Sequence, residues 1–265
     1  YLIITILGLL VGSFLNVYIY RWPRDEQWVS GRSRCMSCKH DLGWYDLVPL
    51  VSFLGLGGRC RYCKVRLGWQ YPLVELVNML GWVGIWWMGG IGRELVGLGV
   101  LRHEGWGLLV SGLAMVVWST LLVMSVIDLK HLLLPDGTDW ILVMVGLIAG
   151  LHKGGGWQEI VTRLLMGLVA YGVFWVLYWS TSGRGLGWGD VKLIGAMGVV
   201  VGWDVGLVVA LGFMLGSMIG VVMLGTGLAK LGKAVPFGPF LVLGFVFTLL
   251  WGHEIMAWYW SLMGV

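Results

Sequence analysis

Long uncharged runs constrain this chain more than any other feature. Five of them cover residues 1–20, 105–127, 164–183, 205–229 and 234–252. A helix rises about 1.5 Å per residue, so each run is long enough to cross about 30 Å of hydrocarbon. The runs, a 58% hydrophobic composition and a mean hydropathy of +0.84 together exclude an ordinary soluble domain. The chain is predicted to be an all-α polytopic membrane protein.

Three shorter apolar segments complete the predicted topology. Residues 76–92 gain length if residues 72–75 form a first helical turn, with Pro72 at the helix start. Residues 140–151 and 191–203 are shorter than a full span. Counting all three gives about eight transmembrane helices, with both termini on one side. The first run lacks a basic start and a small-residue cleavage site, so it is expected to be a retained helix.

Positive charge predicts which side of the membrane each loop faces. Of 18 Lys and Arg residues, all but four fall in loops on one face of this topology. The exceptions are Arg93, Arg102, Lys153 and Arg163. The positive-inside rule places the basic face in the cytoplasm. Because topology accounts for the net charge of +4, nucleic-acid binding is not expected. The chain is predicted to comprise a first span at 1–20, a cytoplasmic loop domain at 21–71 and a transmembrane core of seven helices at 72–265. Membrane lipid would surround the spans.

All four cysteines lie in the predicted loop domain. They form two Cys-x-x-Cys pairs with 21 residues between them: Cys35 with Cys38, and Cys60 with Cys63. Paired thiolates at this spacing are typical of a structural zinc site. A loop of about fifty residues with few aliphatic side chains cannot hold itself together by burial alone, so one zinc ion per chain would stabilise it. Two disulfides or four unrelated thiols are the alternatives, but a reducing cytoplasm disfavours disulfides. Lys39 and Lys64 follow the pairs, where metal-binding turns often have glycine.

Two carboxylates lie at the ends of predicted spans. Asp128 ends one run in SVIDLKHLLLPD, and Asp190 begins a short segment in GLGWGDVKL. An ionisable group at the centre of a span costs about 2.5 to 3.5 kcal/mol, which makes both residues functional candidates. In the predicted topology both reach the cytoplasmic boundary at one depth. Two carboxyl groups that meet at low dielectric hold one proton between them, as the pair of an aspartic protease does.

Several residues near these motifs are interpreted as supporting the site. Gly187 and Gly189 would let the backbone approach an extended peptide, or let Asp190 approach Asp128. Alternatively, Asp128 with Lys130 and Asp190 with Lys192 are ordinary interfacial charges near helix ends. Asp136 is expected to cap a helix or order a loop, and Glu75 to pair with a basic group near the inner end of the second span. Asn16 is expected to form a hydrogen bond between helices.

Six segments, taken in order along the chain, form a recognisable set. They are GLLVGSFLNVYIYRWP, SRCMSCKHDLGWYDLVPLVS, GGRCRYCKVRLGWQYPLVEL, SVIDLKHLLLPD, GLGWGDVKL and VPFGPFL. Together they resemble the prepilin peptidases, also called type 4 prepilin leader peptidase/N-methyltransferases, which are membrane aspartic proteases of the G-x-G-D type. The tripeptide Gly137-Thr138-Asp139 is more polar than is usual in that family after LLPD.

The resemblance implies a function. Asp128 and Asp190 would be the catalytic pair. The substrates would be pilin and pseudopilin precursors, cut after Gly between a basic leader and a hydrophobic helix. The new N-terminal amine would be methylated with S-adenosylmethionine. The protein would lie in the bacterial inner membrane and serve a type IV pilus or type II secretion. No Rossmann-type glycine motif follows a strand, so no cofactor-binding residue is predicted.

Two functions from other classes are the alternatives. A proton-coupled transporter would use Asp128 and Asp190 as relay groups, but the polar residues concentrate on the predicted inner side. A membrane thiol oxidoreductase would use the two Cys-x-x-Cys pairs. Bound zinc and slow alkylation of the thiols would exclude the oxidoreductase.

Overall fold

The computed structural model describes residues 1–91, 108–152, 156–183, 185–227 and 235–264. These ranges contain nine α-helices and no extended strand. The helices are α1 (Leu2–Arg21), α2 (Val51–Gly55), α3 (Gln70–Ile91), α4 (Leu108–His131), α5 (Asp136–His152), α6 (Gly156–Ser180), α7 (Trp188–Val201), α8 (Val205–Gly225) and α9 (Gly238–Met263). All except the short α2 match the eight apolar segments, which confirms the predicted helices. Arg93, Arg102 and Lys153, which the topology assigns to the outer face, lie outside the described residues.

In the part of the chain that the structure describes, five helical segments are long and apolar enough to cross a membrane. They are Leu2–Arg24, Leu108–His131, Gly156–Ser180, Trp188–Gly225 and Gly238–Met263. The chain is therefore a membrane protein, as predicted. One segment comprises both α7 and α8, which a turn at Gly202 with φ of +66° separates. Glycine adopts this conformation more readily than other residues, so the turn ends α7 after 14 residues. The helix begins at Trp188, two residues before Asp190.

The described residues form two compact units. The first comprises residues 1–91 and Ala114–Val123, and the second comprises the other described residues. In the first unit α1 packs along α3. The contact is close at Gly12, where a Cβ atom would lie 2.8 Å from Glu75 Cα. Asn16 Nδ2 donates to Tyr71 O at 3.0 Å, which confirms the expected hydrogen bond between helices.

In the second unit α7 packs against both α5 and α6. A Cβ at Gly146 of α5 would lie 2.8 Å from Val199 O near the end of α7. Asp136, the first residue of α5, pairs with Lys192 near the start of α7. These two contacts show that α5 and α7 run in the same direction. Their N-terminal ends therefore lie at the same end of the unit.

Candidate active site

Asp128 lies in the last turn of α4 and is buried, with 5% of its surface exposed. Its Oδ2 accepts a hydrogen bond of 2.9 Å from the backbone N–H of Gly238, the first residue of α9. A Cβ at Gly238 would lie 2.8 Å from the same oxygen. Real Cβ atoms are almost never so close to a neighbour, so a side chain at this position would displace the carboxyl group of Asp128. The Gly of the VPFGPFL segment thus holds Asp128 from 110 residues away.

Asp190 is the third residue of α7 and has 8% of its surface exposed. Its Oδ2 accepts a hydrogen bond of 3.2 Å from the N–H of Gly187, which precedes the helix. A Cβ at Gly189 would lie 2.9 Å from Leu134 Cβ in the connection between α4 and α5. Gly187 therefore supplies a backbone donor to the carboxyl group, and Gly189 lets α7 pack closely against that connection.

The two carboxyl groups lie in the second unit, close enough for Asp128 to act electrostatically on Asp190. Each has its Oδ2 held by a backbone N–H at the start of a helix, where the helix dipole favours negative charge. No other hydrogen bond reaches either carboxyl group from the residues that the structure describes. Each Oδ1 atom is thus left for water or substrate. Two such groups can divide acid and base roles between them.

A third carboxylate and a lysine accompany the pair. Asp136 begins α5 and forms an ion pair with Lys192, which lies two residues after Asp190 on α7. The ion pair joins the start of α5 to the start of α7. Asp136 therefore helps to order the connection between α4 and α5, which directly precedes it. Asp139 lies one turn further along α5 and is buried. Within the described part of the chain, neither of its carboxyl oxygens has a hydrogen-bond partner.

The four cysteines form a cluster in the first unit. Their sulfur atoms all lie within 4.8 Å of one another, and all four cysteines are free thiols. Cys35 Sγ and Cys63 Sγ are 3.8 Å apart, which matches the separation of about 3.8 Å that tetrahedral ligands have around zinc at 2.3 Å. Burial opposes ionisation of Cys35, but hydrogen bonding to the backbone of Cys38 and Ser37 and to the thiols of Cys38 and Cys60 together lowers the pKa of this thiol to about 7. The cluster can hold a metal ion.

Two copies of one turn build the cysteine cluster. In the first, Cys35 N donates to His40 O and Lys39 N donates to Cys35 O. The second repeats both bonds from Cys60 and Lys64. Lys39 and Lys64 both have φ of +59°, the left-handed region that favours glycine. The turns that the sequence predicts are present, with lysine in the conformation for which glycine is the usual choice.

Glu75 has a different partner from the one expected. Its Oε2 accepts a hydrogen bond of 2.8 Å from the backbone N–H of Leu50. Among the described residues no basic group pairs with Glu75, and the buried carboxylate accepts from a backbone N–H instead. Leu50 has φ of +57°, so Glu75 stabilises an unfavourable backbone conformation in the loop domain.

The sequence did not predict the roles of two residues near the aspartate pair, Gly238 and Asp139. Gly238 occurs in a quoted segment, but nothing local indicates that its N–H contacts Asp128. Asp139 stood out as a polar residue after LLPD, and an acidic residue at the start of an apolar run was a usable signal. Sequence reasoning found Asp128, Asp190, Lys192 and Asp136, which the structure places at one end of the second unit. Glu75 and the cysteines lie in the first unit.

Comparisons with known proteins identify the family. The family described as "Bacterial Peptidase A24 N-terminal domain" matches residues 6–88, and the "Type IV leader peptidase family" matches residues 115–228. A protein of Pseudomonas aeruginosa called prepilin leader peptidase/N-methyltransferase is 33% identical, over 98% of this chain and 93% of its own. Proteins with the same name are 34% identical in Pseudomonas putida, over 98% and 93%, and 32% identical in Aeromonas hydrophila, over 97% and 92%. No solved structure matches the chain. This chain belongs to the type IV leader peptidase family.

Proposed function

We propose that this protein is a membrane aspartic endopeptidase that removes the leader peptides of prepilins. The buried pair of Asp128 and Asp190, each held by one backbone N–H, is the observation that carries the proposal. Family membership and the printed names of the relatives support the same reaction. They favour a peptidase over the proton-coupled transporter, which no comparison supports.

The proposed mechanism uses the two carboxyl groups in different protonation states. The charged one removes a proton from a water molecule, which then attacks the scissile carbonyl carbon. The neutral one donates its proton to the carbonyl oxygen as the tetrahedral intermediate forms. A proton then passes to the leaving amine as the C–N bond breaks. The bonds from Gly238 and Gly187 hold one oxygen of each group, so the other oxygens can be aimed at water and substrate.

The substrate and its orientation follow from the proposed topology. We place the loop domain and the aspartate pair on the cytoplasmic side of the bacterial inner membrane. A substrate with a basic leader and an apolar helix would keep its leader in the cytoplasm and its helix in lipid. Cleavage after the Gly that joins them would then occur at the membrane boundary. Pseudopilins of the same pattern are proposed as further substrates.

We propose zinc as the metal of the cysteine cluster. Four thiolates complete a tetrahedron around zinc and leave no open position, so the metal would be structural. Zinc would fix two turns whose lysines have an unfavourable backbone conformation. The same arrangement disfavours the thiol oxidoreductase, since all four sulfurs belong to one cluster.

The second proposed activity is methylation of the new N-terminal amine. The names of the relatives support it, and S-adenosylmethionine would be the methyl donor. We assign no residue of this chain to that cofactor.

Mass spectrometry of a processed prepilin tests the proposed function. The full-length protein, purified in detergent, is incubated with a prepilin with and without S-adenosylmethionine. We expect release of the leader after Gly in both reactions, and one added methyl group on the mature N-terminus only with the cofactor. Cleavage without methylation would remove the second activity alone. An intact prepilin, in conditions where the protein is folded and contains zinc, would contradict the peptidase.

A further inference from the structure

Asp139 is a buried carboxyl group that the proposed mechanism does not use. It is the fourth residue of α5, and 8% of its surface is exposed. Both oxygens are fully buried and have no hydrogen-bond partner among the residues that the structure describes. Leaving a buried carboxyl group unpaired is costly. A side chain kept in this state calls for a partner that arrives during function.

Asp139 faces two charged side chains near the catalytic pair. Asp136 precedes it by three residues on α5, so both carboxyl groups share one face of the helix. Lys192 of α7 forms an ion pair with Asp136, and both residues lie close enough to act electrostatically on Asp139. The cluster therefore contains two carboxyl groups but one ammonium group. One more positive charge would balance the charges of the cluster.

The exposure of the three side chains suggests how that charge is accommodated. The Asp136 side chain is 74% exposed, whereas that of Lys192 is 24% exposed. An incoming cation can therefore reach Asp136 but not Asp139. The Lys192 side chain has a flexible stem of four carbons, and its ammonium group has three N–H donors. It can therefore leave one carboxylate and pair with another nearby. If a cation takes over Asp136, Lys192 can move to Asp139.

We propose that Asp136, Asp139 and Lys192 form a subsite for one positively charged group of the substrate. The incoming ammonium or guanidinium group pairs with Asp136. Lys192 moves to Asp139, whose oxygens then gain the donor that they lack. After the exchange, two cations face two carboxylates and no charge is stranded. Lys192 and Asp190 both lie near the start of α7, so the subsite is at the same end of the second unit as the catalytic pair. This inference rests on the proposed function, since it assigns a peptide substrate to the same site.

Two sources on a prepilin carry the required chemistry. One is a Lys or Arg side chain of the basic leader. The other is the α-ammonium group that cleavage creates on the mature protein. A metal ion is disfavoured, because the ammonium of Lys192 already pairs with Asp136. Among the described residues, only the four cysteines group closely enough to hold one.

Peptide binding to a variant that does not turn over tests the subsite. The full chain carries Asp128→Asn, which is outside the subsite, and is reconstituted in lipid nanodiscs. Fluorescent prepilin peptides with a Lys-containing leader are compared with peptides whose leader lysines are replaced by Gln. We expect added Asp139→Asn or Asp136→Asn to weaken binding of the basic peptide about fivefold. Either change should also remove most of the preference for the basic leader over the neutral one.

A second arm distinguishes the sources. Mature-pilin peptides with a free N-terminus are compared with acetylated ones. If the α-ammonium occupies the subsite, the same two variants lose the preference for the free amine and keep the preference for the leader. Glu254→Gln, an exposed carboxylate of α9, is the matched control and should keep both preferences. If Asp139→Asn does not fold, Asp136→Asn at the exposed position carries the test.

The outcomes separate the subsite from the proposed function. If both subsite variants keep the preferences of the Asp128→Asn protein in both arms, the subsite is overturned, even if the wild-type protein cleaves prepilin. If the wild-type protein does not cleave prepilin, but these substitutions remove a charge preference, the peptidase is contradicted and the cation subsite stands.

Discussion

The cysteine cluster and the aspartate pair bring their functional groups together in opposite ways. The cysteines come from two copies of one turn, each closed by its own backbone hydrogen bonds. The aspartates come from different helices, and the donor to Asp128 lies 110 residues away. Local turns can form a site once a metal joins them, whereas a site built from distant helices depends on how the helices pack. The two regions should therefore respond to different perturbations.

Metal removal should give the largest effect and should be confined to the loop domain. Cys60→Ser, or extraction of the metal with a chelator, is expected to make the loop between α1 and α3 sensitive to protease. A structural zinc site contributes apparent binding free energies of about 10 to 16 kcal/mol in small peptides. Limited proteolysis with circular dichroism is the measurement. Ser37→Ala, between the first two cysteines, is the control. A loop that stays resistant without metal would contradict the comparison.

A packing change at Gly238 should affect the aspartate pair and leave the cysteine cluster intact. In Gly238→Ala the new Cβ would clash with Asp128 Oδ2, displacing the carboxyl group. Misplacement by about 1 Å can cost about 100-fold in rate, so kcat should fall by that order while the metal content is unchanged. Gly220→Ala of α8, where a Cβ meets nothing within 4 Å, should be near normal. Equal activity of the two variants would refute the role of Gly238.

The two lysines with positive φ offer a smaller test within the cysteine cluster. A left-handed backbone conformation costs a non-glycine residue about 1 kcal/mol. Lys39→Gly and Lys64→Gly keep the conformation and remove this cost. Each change should raise the thermal midpoint of the metal-loaded loop, or slow its loss of metal. Arg66→Gly, at an exposed position without positive φ, should instead lower the midpoint. If both Lys39→Gly and Lys64→Gly lower the thermal midpoint, the left-handed conformation of these two lysines is contradicted.

The smallest expected effect concerns Asp46 in the loop domain. Burial opposes its charge, but hydrogen bonds from Arg61 and the Gly43 N–H outweigh burial and lower the pKa of Asp46. A lowered folded pKa stabilises the fold above the unfolded value of about 3.9, and this contribution is lost as the pH falls through the folded value.

Asp46→Asn should therefore reduce the thermal midpoint by about 2 °C or less at neutral pH. The difference from wild type should shrink below about pH 4. Melting curves of both proteins at matched pH values check this. A difference that grows toward acid pH would show that the sign is wrong.

The same contrast explains what could be predicted from sequence. Hydropathy over about twenty residues is a local property, so the eight helices and the membrane class were predictable. The Cys-x-x-Cys spacing is local too, and it predicted the thiol cluster. The N–H of Gly238 on Asp128 and the backbone partner of Glu75 are contacts between distant segments. No periodicity in one sequence encodes them, so they became visible only when the helices were packed.

The central claim is that Asp128 and Asp190 act as one catalytic unit, and a double-mutant cycle tests it most directly. The kcat/KM for prepilin cleavage is measured for wild type, Asp128→Asn, Asp190→Asn and the double variant. Residues that act together are not additive, so each single change should reduce kcat/KM by about 10⁴-fold and the double change should cost no more. Near-normal turnover of either single variant, or a double variant whose loss is the product of the two single losses, would contradict the account.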